Sequence, residues 1–300
     1  MIIELTDTTA AKISSSLLKA RRQVGPANGM VFTLIAVTSS EHHDAVLEAA
    51  LEAGRAHPSR IMIVSYTDSD ETRVDAEVQS GETVPGDVIT LRFSGELREH
   101  ADSVVLPLLL PDSPTVVWWP HASPVDLADD PVGALGTRRI TDAAGVPDPV
   151  AALLSRAEHH SPGDTDLTWT RLTPWRALLA AALDQHAGRV TAARVEAAAD
   201  NAPAALLRAW LIDRLEVPVE GATSDGPGIT GVFLQLEDGE VQLTRTDEKT
   251  ATYSVPGEPK RTVALRRRNI TQLITEELNR LDADDIFEDT MKTLLAEVRG

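Results

Sequence analysis

The stretch Asp166–Ala180, with the sequence DLTWTRLTPWRALLA, divides the chain into two regions that predict different folds. From Leu167 to Leu172 the side chains alternate in the manner of an extended arm. Thr173 and Pro174 then predict the start of a helix, because threonine is a favoured N-cap and proline is favoured at the first helical position. We therefore predict an extended arm followed by a capped helix that joins the two regions.

The region before this stretch predicts an α/β domain. Met30–Val37 (MVFTLIAV) is a continuous apolar run, which is typical of a strand buried on both faces. A helical pattern follows, and Ile61–Ser65 predicts a second buried strand, so we expect a right-handed parallel crossover. Thr115–Trp119 predicts a third core strand, whereas the alternating segments Thr72–Gln79 and Asp87–Phe93 predict an exposed antiparallel hairpin at the sheet edge.

The region after this stretch predicts an antiparallel meander with terminal helices. Ile229–Leu236 and Val241–Arg245 flank Asp238-Gly239, which is the strongest short hairpin signal. Two more strand patterns and two helical patterns follow, so this half predicts an α+β domain. The predicted organisation is an α/β N-terminal domain over residues 1–165, a Trp/Arg-rich junction over 166–185, and an α+β C-terminal domain over 186–300.

The motifs that usually carry catalysis or cofactor binding do not stand where these folds would need them. The turn after Val37 lacks the glycines that let a backbone approach a pyrophosphate, so we predict an N-terminal domain without a phosphate loop. No serine lies in a Gly-x-Ser-x-Gly elbow. The histidines occur as adjacent pairs that point to different sides of an element. We therefore predict no catalytic residue, no metal site and no cofactor.

Composition narrows the classes of partner. The chain has 300 residues, 42% of them hydrophobic, and a formal net charge of −18, which argues against nucleic acid and anionic membrane surfaces as partners. It has no cysteine, which excludes disulfides and thiolate chemistry. The start of the sequence lacks a basic segment followed by an apolar run, and no stretch reaches the roughly 18 apolar residues of a membrane span. We expect a cytoplasmic protein.

A basic run stands out against this acidic background. Its members are Lys260, Arg261, Arg266, Arg267 and Arg268. Three interpretations are open: an edge strand protected by charge, an anion site for a sugar phosphate or nucleotide phosphate, and a contact with a partner protein.

The tryptophans and two neighbouring arginines form a second candidate set. Trp118 and Trp119 must face opposite sides of a strand. Trp with Arg is also the side-chain chemistry that is enriched at interface hot spots. Packing between the two halves and direct contact with a partner are both open. The predicted partner-binding residues are Trp118, Trp119, Trp169, Arg171, Trp175 and Arg176.

Four segments together carry a family resemblance. They are DLTWTRLTPWRALL (Asp166–Leu179), TVVWWP (Thr115–Pro120), LTDTTAAKI (Leu5–Ile13) and AALLRAWLIDRL (Ala204–Leu215). With these segments the chain resembles the glucose-6-phosphate dehydrogenase assembly protein family, OpcA. The resemblance implies a non-catalytic allosteric activator that binds glucose-6-phosphate dehydrogenase, promotes its active oligomeric form and supports NADPH production in the pentose phosphate pathway. The alternative is a sugar-phosphate-binding enzyme or ligand sensor that uses the run Lys260–Arg268.

Overall fold

The computed structural model describes residues 1–24, 29–81, 84–185 and 188–299, which pack into two compact units. The first unit comprises Met1–Asp142, Ser161–Thr165 and Ile270–Ala283, and the second comprises Ala143–His160, Asp166–Asn269 and Asp284–Gly300. The chain therefore passes between the units five times. The predicted domain ranges stay a prediction, and these units differ from them because residues 143–160 pack with the second unit and 270–283 with the first.

The elements are numbered in chain order. The strands are β1 (Ile2–Leu5), β2 (Phe32–Ser39), β3 (Ser59–Tyr66), β4 (Arg73–Ser80), β5 (Asp87–Ser94), β6 (Thr115–Trp118), β7 (Arg138–Thr141), β8 (Asp164–Asp166), β9 (Val190–Ala197), β10 (Val219–Thr223), β11 (Ile229–Leu236), β12 (Gly239–Arg245), β13 (Thr250–Ser254) and β14 (Arg261–Ala264). The helices are α1 (Ala10–Val24), α2 (His43–Ala56), α3 (Ala101–Val105), α4 (Pro149–Glu158), α5 (Leu167–Gln185), α6 (Ala202–Leu215), α7 (Ile270–Glu277) and α8 (Asp285–Arg299).

The first unit is built on an eight-stranded mixed sheet in the order β1-β4-β5-β3-β2-β6-β7-β8. Strand β2 pairs in parallel with both β3 and β6, and helix α2 connects β2 to β3. Both strands of this crossover are buried on both faces over most of their length, because each is a continuous apolar run. The predicted parallel β-α-β unit and the α/β character of the N-terminal region are confirmed.

The predicted hairpin forms, but its predicted position at an exposed edge is wrong. Strands β4 and β5 pair antiparallel, β5 also pairs in parallel with β3, and β1 pairs with β4 on the outer side. Ile89 and Leu91 are buried on one face of β5, and Val88 and Thr90 are buried on the other. Alternation alone suggested one solvated face, whereas both faces of β5 carry side chains that the fold covers.

The second unit contains a six-stranded sheet in the order β10-β9-β11-β12-β13-β14. Strands β11 to β14 pair antiparallel in sequence, which confirms the predicted meander. Strand β10 was missed by the sequence patterns and pairs in parallel with β9, and helix α6 connects the two. Only Val219 of this edge strand is buried, so β10 has no apolar periodicity from which it could be recognised.

The predicted extended arm before Thr173 is also wrong. Helix α5 begins at Leu167 and contains Pro174 in its interior. It begins early because a carboxylate oxygen of Asp166 accepts a hydrogen bond from the backbone N–H of Thr168 at 2.8 Å. Within the described ranges, no helix combines the length and the apolar character that crossing a bilayer requires.

Candidate functional site

A cavity in the second unit brings together residues from both candidate sets. Its volume is about 190 Å³. Five arginines line it: Arg171, Arg245, Arg266, Arg267 and Arg268. The other lining residues include Trp175, Asn201, Pro203 and Gly228. We call this cavity the arginine pocket.

The arginines come from three separate places in the fold. Arg171 lies on α5, Arg245 is the last residue of β12, and Arg266 to Arg268 follow β14. Strands β12 and β14 are both neighbours of β13 in the sheet, which brings the ends of their segments together. Arg245 donates a hydrogen bond to the backbone carbonyl of Leu265 at 2.6 Å and so anchors the segment that follows β14.

Helix α5 is joined to the arginine segment at the position of its proline. Pro174 has no N–H, so it cannot donate to the carbonyl of Thr170, four residues earlier. The guanidinium group of Arg268 donates a hydrogen bond to that carbonyl. Arg267 makes the equivalent bond to the carbonyl of Pro227. These hydrogen bonds fix the direction of both guanidinium groups.

The electrostatics of the pocket reflect crowded positive charge. The pKa of Arg245 is lowered to about 10, first because burial removes its guanidinium from water and second because Arg267 is near, with a partial offset from Asp247. Burial and then the charge of Arg171 lower the pKa of Arg268. Among the described residues that line the pocket, none is aspartate or glutamate.

A glycine turn and a helix start complete the wall. Gly228 has φ +65°, and a Cβ at this position would lie 2.8 Å from Nη1 of Arg267. The positive φ accounts for glycine at this position, and a side chain here would also displace the end of Arg267. Asn201 caps helix α6 by accepting a hydrogen bond from Ala204 N at 2.9 Å. The positive end of the helix dipole adds to the potential of the pocket.

Only part of the predicted basic run lines the pocket. Lys260 and Arg261 are exposed and do not line the pocket, and Arg261 pairs with Glu258. Arg245 was missed because it lies in an alternating strand with no basic neighbour in sequence. A signal for Gly228 was present, since Gly226–Gly231 (GPGITG) has the spacing Gly-x-Gly-x-x-Gly. This segment leads into strand β11 instead of a helix, so it is not the fingerprint of a dinucleotide site.

The tryptophans of α5 are core residues with arginines on them. Trp169 and Trp175 are 2% and 3% exposed. The guanidinium carbon of Arg176 lies 3.4 Å from the ring centroid of Trp169, and that of Arg245 lies 5.3 Å from the ring of Trp175. Both arginines are partly exposed. The indoles of Trp169 and Trp175 therefore present almost no surface themselves, and the arginines lie over them.

The tryptophan pair of the first unit is buried as well. Trp118 and Trp119 are 0% and 2% exposed. Trp119 belongs to the apolar core of this unit together with Leu127 and Val132. Neither indole presents surface to a partner in this conformation. Their assignment to partner binding stays a prediction, and burial limits them to supporting a surface that other residues provide.

Trp169 also anchors the start of helix α8. Its indole N–H donates to Oδ2 of Asp284 at 2.9 Å, while Oδ1 of Asp284 accepts from the backbone N–H groups of Ile286 and Phe287, each at 3.1 Å. The rings of Trp169 and Phe287 have centroids 5.7 Å apart. One carboxylate therefore caps a helix and satisfies a buried indole at the same time.

We expect Asp284→Ala to lower the free energy of unfolding of the second unit by about 2–4 kcal/mol, because it removes the cap and leaves a buried N–H without an acceptor. Urea denaturation of the isolated chain measures the change. The neighbouring exposed Asp285→Ala is the matched control, with an expected change below about 1 kcal/mol. Equal effects of the two substitutions would contradict this role of Asp284.

In the first unit, two histidine rings lie near the place where an open α/β sheet usually binds its ligand. That place is the crevice at the carboxyl ends of β2 and β6, where the strand order reverses. A short helical turn, Ser40–His42, follows β2, and the rings of His42 and His121 lie 4.0 Å apart. Burial and the nearby His42 lower the pKa of His121. Across residues 1–24, 29–81, 84–185 and 188–299, no group of three or more His, Cys, Asp or Glu side chains could hold a metal ion.

Comparisons with solved structures give remote likenesses. An oxidoreductase domain protein from Kribbella flavida has a TM-score of 0.47 and 12% identity, with 90% of this chain and 96% of that chain covered. An NAD binding oxidoreductase from Klebsiella pneumoniae has a TM-score of 0.44 and 10% identity, with 89% and 94% covered. Likenesses at this level carry no argument about activity.

Comparisons of sequence are specific. A relative from Synechocystis sp., described as the OxPP cycle protein OpcA, is 24% identical over 178 residues, which are 53% of this chain and 38% of that protein. The match thus spans well under half the length of that relative. Residues 50–158 match the model of a glucose-6-phosphate dehydrogenase subunit N-terminal domain, and residues 162–291 match that of the corresponding C-terminal domain. Because these two models of one family follow each other along most of the sequence, the chain belongs to the OpcA family of glucose-6-phosphate dehydrogenase assembly proteins.

Proposed function

We propose that this protein is a non-catalytic allosteric activator that binds glucose-6-phosphate dehydrogenase in the cytoplasm and promotes its active oligomeric form. It would thereby support NADPH production in the pentose phosphate pathway. The observation that carries the proposal is the consecutive match of both family domains, each described as part of a subunit of that dehydrogenase. The name of the Synechocystis relative, which refers to the OxPP cycle, supports the same pathway.

The geometry of the first unit supports a role without catalysis. Doubly wound sheets bind nucleotides against a glycine-rich turn at the switch point. Here the turn after β2 carries serine and histidine, and Oγ of Ser39 lies 3.0 Å from Nδ1 of His42. The rings of His42 and His121 lie 4.0 Å apart, just after the ends of β2 and β6. A scaffold that keeps the α/β architecture without this glycine-rich turn fits a protein that acts through contact with another protein.

We further propose that helix α5 contributes to the surface that binds the dehydrogenase. Arg176 is held on the face of Trp169, and Thr173 and Ala177 are exposed on the same helix. A partly exposed arginine that is fixed on a buried indole loses little side-chain entropy when it binds, which is a property of interface hot spots. In this arrangement Trp169 and Trp175 position arginines and do not themselves touch the partner.

The experiment mixes the purified chain with purified glucose-6-phosphate dehydrogenase and follows mass by light scattering and NADPH formation in parallel. We expect a complex of higher mass and a change in dehydrogenase activity. Arg176→Glu combined with Ala177→Glu should weaken binding at least about tenfold, because it reverses one charge and adds another at the proposed contact. The control Arg280→Glu reverses an exposed charge in the first unit and should leave binding unchanged.

The possible failures are distinguishable. If the wild-type chain forms no complex and leaves the activity of the dehydrogenase unchanged, the proposed function is wrong. If the wild-type complex forms and the α5 variant, folded by circular dichroism, binds equally well, only the assignment of the surface is wrong. Turnover of a metabolite by the chain alone would contradict the non-catalytic role.

A further inference from the structure

Helices α5, α6 and α8 cover one face of the six-stranded sheet in the second unit. Side chains of these helices share one apolar core with Val232 on β11 and Leu243 on β12. Because successive side chains of a strand point to opposite faces, Phe233 and Thr244 lie on the other face, together with Arg194, which pairs in register with Phe233. Phe233 and Arg194 are partly exposed, and Thr244 is exposed. We call this surface the open sheet face.

An aromatic side chain lies at the centre of the open sheet face. The chain has four phenylalanines, and three of them are fully buried, whereas Phe233 remains partly exposed. Its ring covers Gly231, because a Cβ at that glycine would lie 2.8 Å from Cε2 of Phe233. The guanidinium carbon of Arg194 lies 4.3 Å from the ring centroid. The ring therefore lies against the backbone of its own strand, which leaves the centre of the face flat and apolar.

The side chains of the open sheet face are self-complementary about a twofold axis that runs between β11 and β12, parallel to the strands. Two copies of the sheet related by this axis stack face to face, with β11 over β12 of the second copy and β9 over its β13. Arg194, Phe233, Gln242 and Ser254 form one cross-strand row. Phe233 then faces Gln242 of the second copy, and Arg194 faces its Ser254. This arrangement keeps the two copies of Arg194 apart.

The rim of the open sheet face adds opposite charges to this arrangement. Glu220 on β10 pairs in register with Arg194. Extending the register of β13 and β14 by one residue places Lys260 beside Ser254. The same axis stacks β10 over β14 of the second copy, so Glu220 approaches Lys260 of that copy at both ends of the row. Both side chains are exposed, and their attraction favours this register of two copies over others.

The area of the face is sufficient for a dimer of moderate affinity. Six strands about 4.8 Å apart, with about six residues each and a rise of about 3.3 Å per residue, present roughly 600 Å². Two such faces bury roughly 1,200 Å² in all, which is the lower end of the range for specific interfaces.

We propose that the open sheet face is a self-association surface, on which a second copy of this chain packs sheet to sheet about the twofold axis to form a dimer. The apolar centre supplies the contact of Phe233, and the rim pair of Glu220 and Lys260 sets the register. The surface belongs to the second unit, and the dimer does not depend on the proposed interaction with the dehydrogenase.

The test measures the mass of the isolated full-length chain by sedimentation velocity. A range from about 1 µM to about 500 µM brackets the micromolar Kd that an interface of this size predicts. We expect the mass to rise with concentration from 32.3 kDa toward twice that value. A chain that stays monomeric over this range overturns the proposal.

Two exposed threonines supply a matched pair of variants. Thr244→Arg brings two positive charges together near the proposed axis, and we expect it to weaken dimerisation at least about tenfold. Thr6→Arg adds the same charge in the first unit, with an expected change below about twofold. Equal effects of the two variants, or a dimer that Thr244→Arg leaves unchanged, would overturn the assignment of the surface.

Cross-linking tests the geometry without disturbing the charge. The chain has no cysteine, so Thr244→Cys introduces a unique thiol. Stacked sheets lie about 10 Å apart, which places the two copies of residue 244 about 11 Å apart across the axis. A bismaleimide of that span should cross-link Thr244→Cys into a dimer and leave Thr6→Cys monomeric. Failure to cross-link Thr244→Cys under conditions in which the dimer forms would contradict the arrangement.

Glucose-6-phosphate dehydrogenase is the rival occupant of the open sheet face. Thr244→Arg is therefore also tested for binding to the purified dehydrogenase. If the wild-type chain is monomeric at every concentration and Thr244→Arg weakens the complex with the dehydrogenase, the face receives that enzyme and the proposed self-association is wrong.

Discussion

Glu277→Leu lowers the free energy of unfolding of the first unit by about 3–5 kcal/mol, since it leaves a buried guanidinium group without its counter-charge. Arg138 on β7 is 2% exposed and donates to a carboxylate oxygen of Glu277, at the end of α7. It also donates to the backbone carbonyl of Asp282 at 2.7 Å, which cannot replace the lost charge. The change is measured by urea denaturation, with hydrogen exchange of β2 and β3 amides to assign it to this unit.

The second partner provides the control for this prediction. Arg138→Met in the Glu277→Leu background removes the charge that was left unpaired, so we expect it to regain most of the lost free energy. Glu96 is exposed in the same unit, and Glu96→Leu should change stability by less than about 0.5 kcal/mol. A double variant as unstable as the single one would mean that packing, and not the buried charge, determines the loss.

Trp119→Ala is expected to destabilise the first unit by about 3–5 kcal/mol, as truncation of a buried aromatic side chain leaves a cavity. Trp119 is 2% exposed and packs into the same apolar core as Leu127 and Val132. The surroundings cannot collapse easily, because a Cβ at Gly133 would lie only 3.1 Å from Cη2 of Trp119 and 1.9 Å from the carbonyl oxygen of Leu127. The backbone therefore already lies against the indole.

This prediction separates the two interpretations of the tryptophan pair. A core residue lowers stability when it is truncated, whereas a residue that only contacts a partner leaves the isolated chain unchanged and weakens the complex. Trp119→Phe retains an aromatic ring and should cost less than Trp119→Ala. The outcome that contradicts the core assignment is an isolated Trp119→Ala chain whose unfolding lies within about 0.5 kcal/mol of the wild type.

Patterns of neighbouring residues correctly predicted the elements that form from a continuous apolar run or from a short turn sequence. Strands β2 and β3 followed from runs that are buried on both faces. The β11–β12 hairpin followed from Asp238-Gly239, where Gly239 has φ +155°. In both cases the residues from which the element was predicted are the same residues that form it.

The errors arose where a residue's partner is remote in sequence. Pro174 indicated a helix start, but it lies inside α5. The carbonyl of Thr170, to which Pro174 cannot donate, accepts a hydrogen bond from Arg268, which is 98 residues away in sequence. Likewise, β5 was expected at the sheet edge because alternation does not reveal that β1 covers the outer strand of the hairpin. No window of neighbouring residues contains this information.

The candidate site was predictable in part for the same reason. Arg266, Arg267 and Arg268 stand together in sequence and were identified as a candidate anion site. Arg171 was assigned to the partner-binding set, and Arg245 was not identified. The pocket exists because α5, β12 and the segment after β14 meet in the fold. Arginines that come together only in the folded structure form no basic run in the sequence from which a site could be predicted.

Because Ile270–Ala283 packs in the first unit, it limits when that unit can fold during translation. Leu273 and Ile274 of α7 are fully buried there, and the carbonyl of Thr275 lies 3.0 Å from Nε2 of His57 on the segment after α2. A nascent chain that has emerged only as far as β14 still exposes the apolar surface that α7 covers. Native packing of the amino-terminal half must therefore wait until residues 270–283 have left the ribosome.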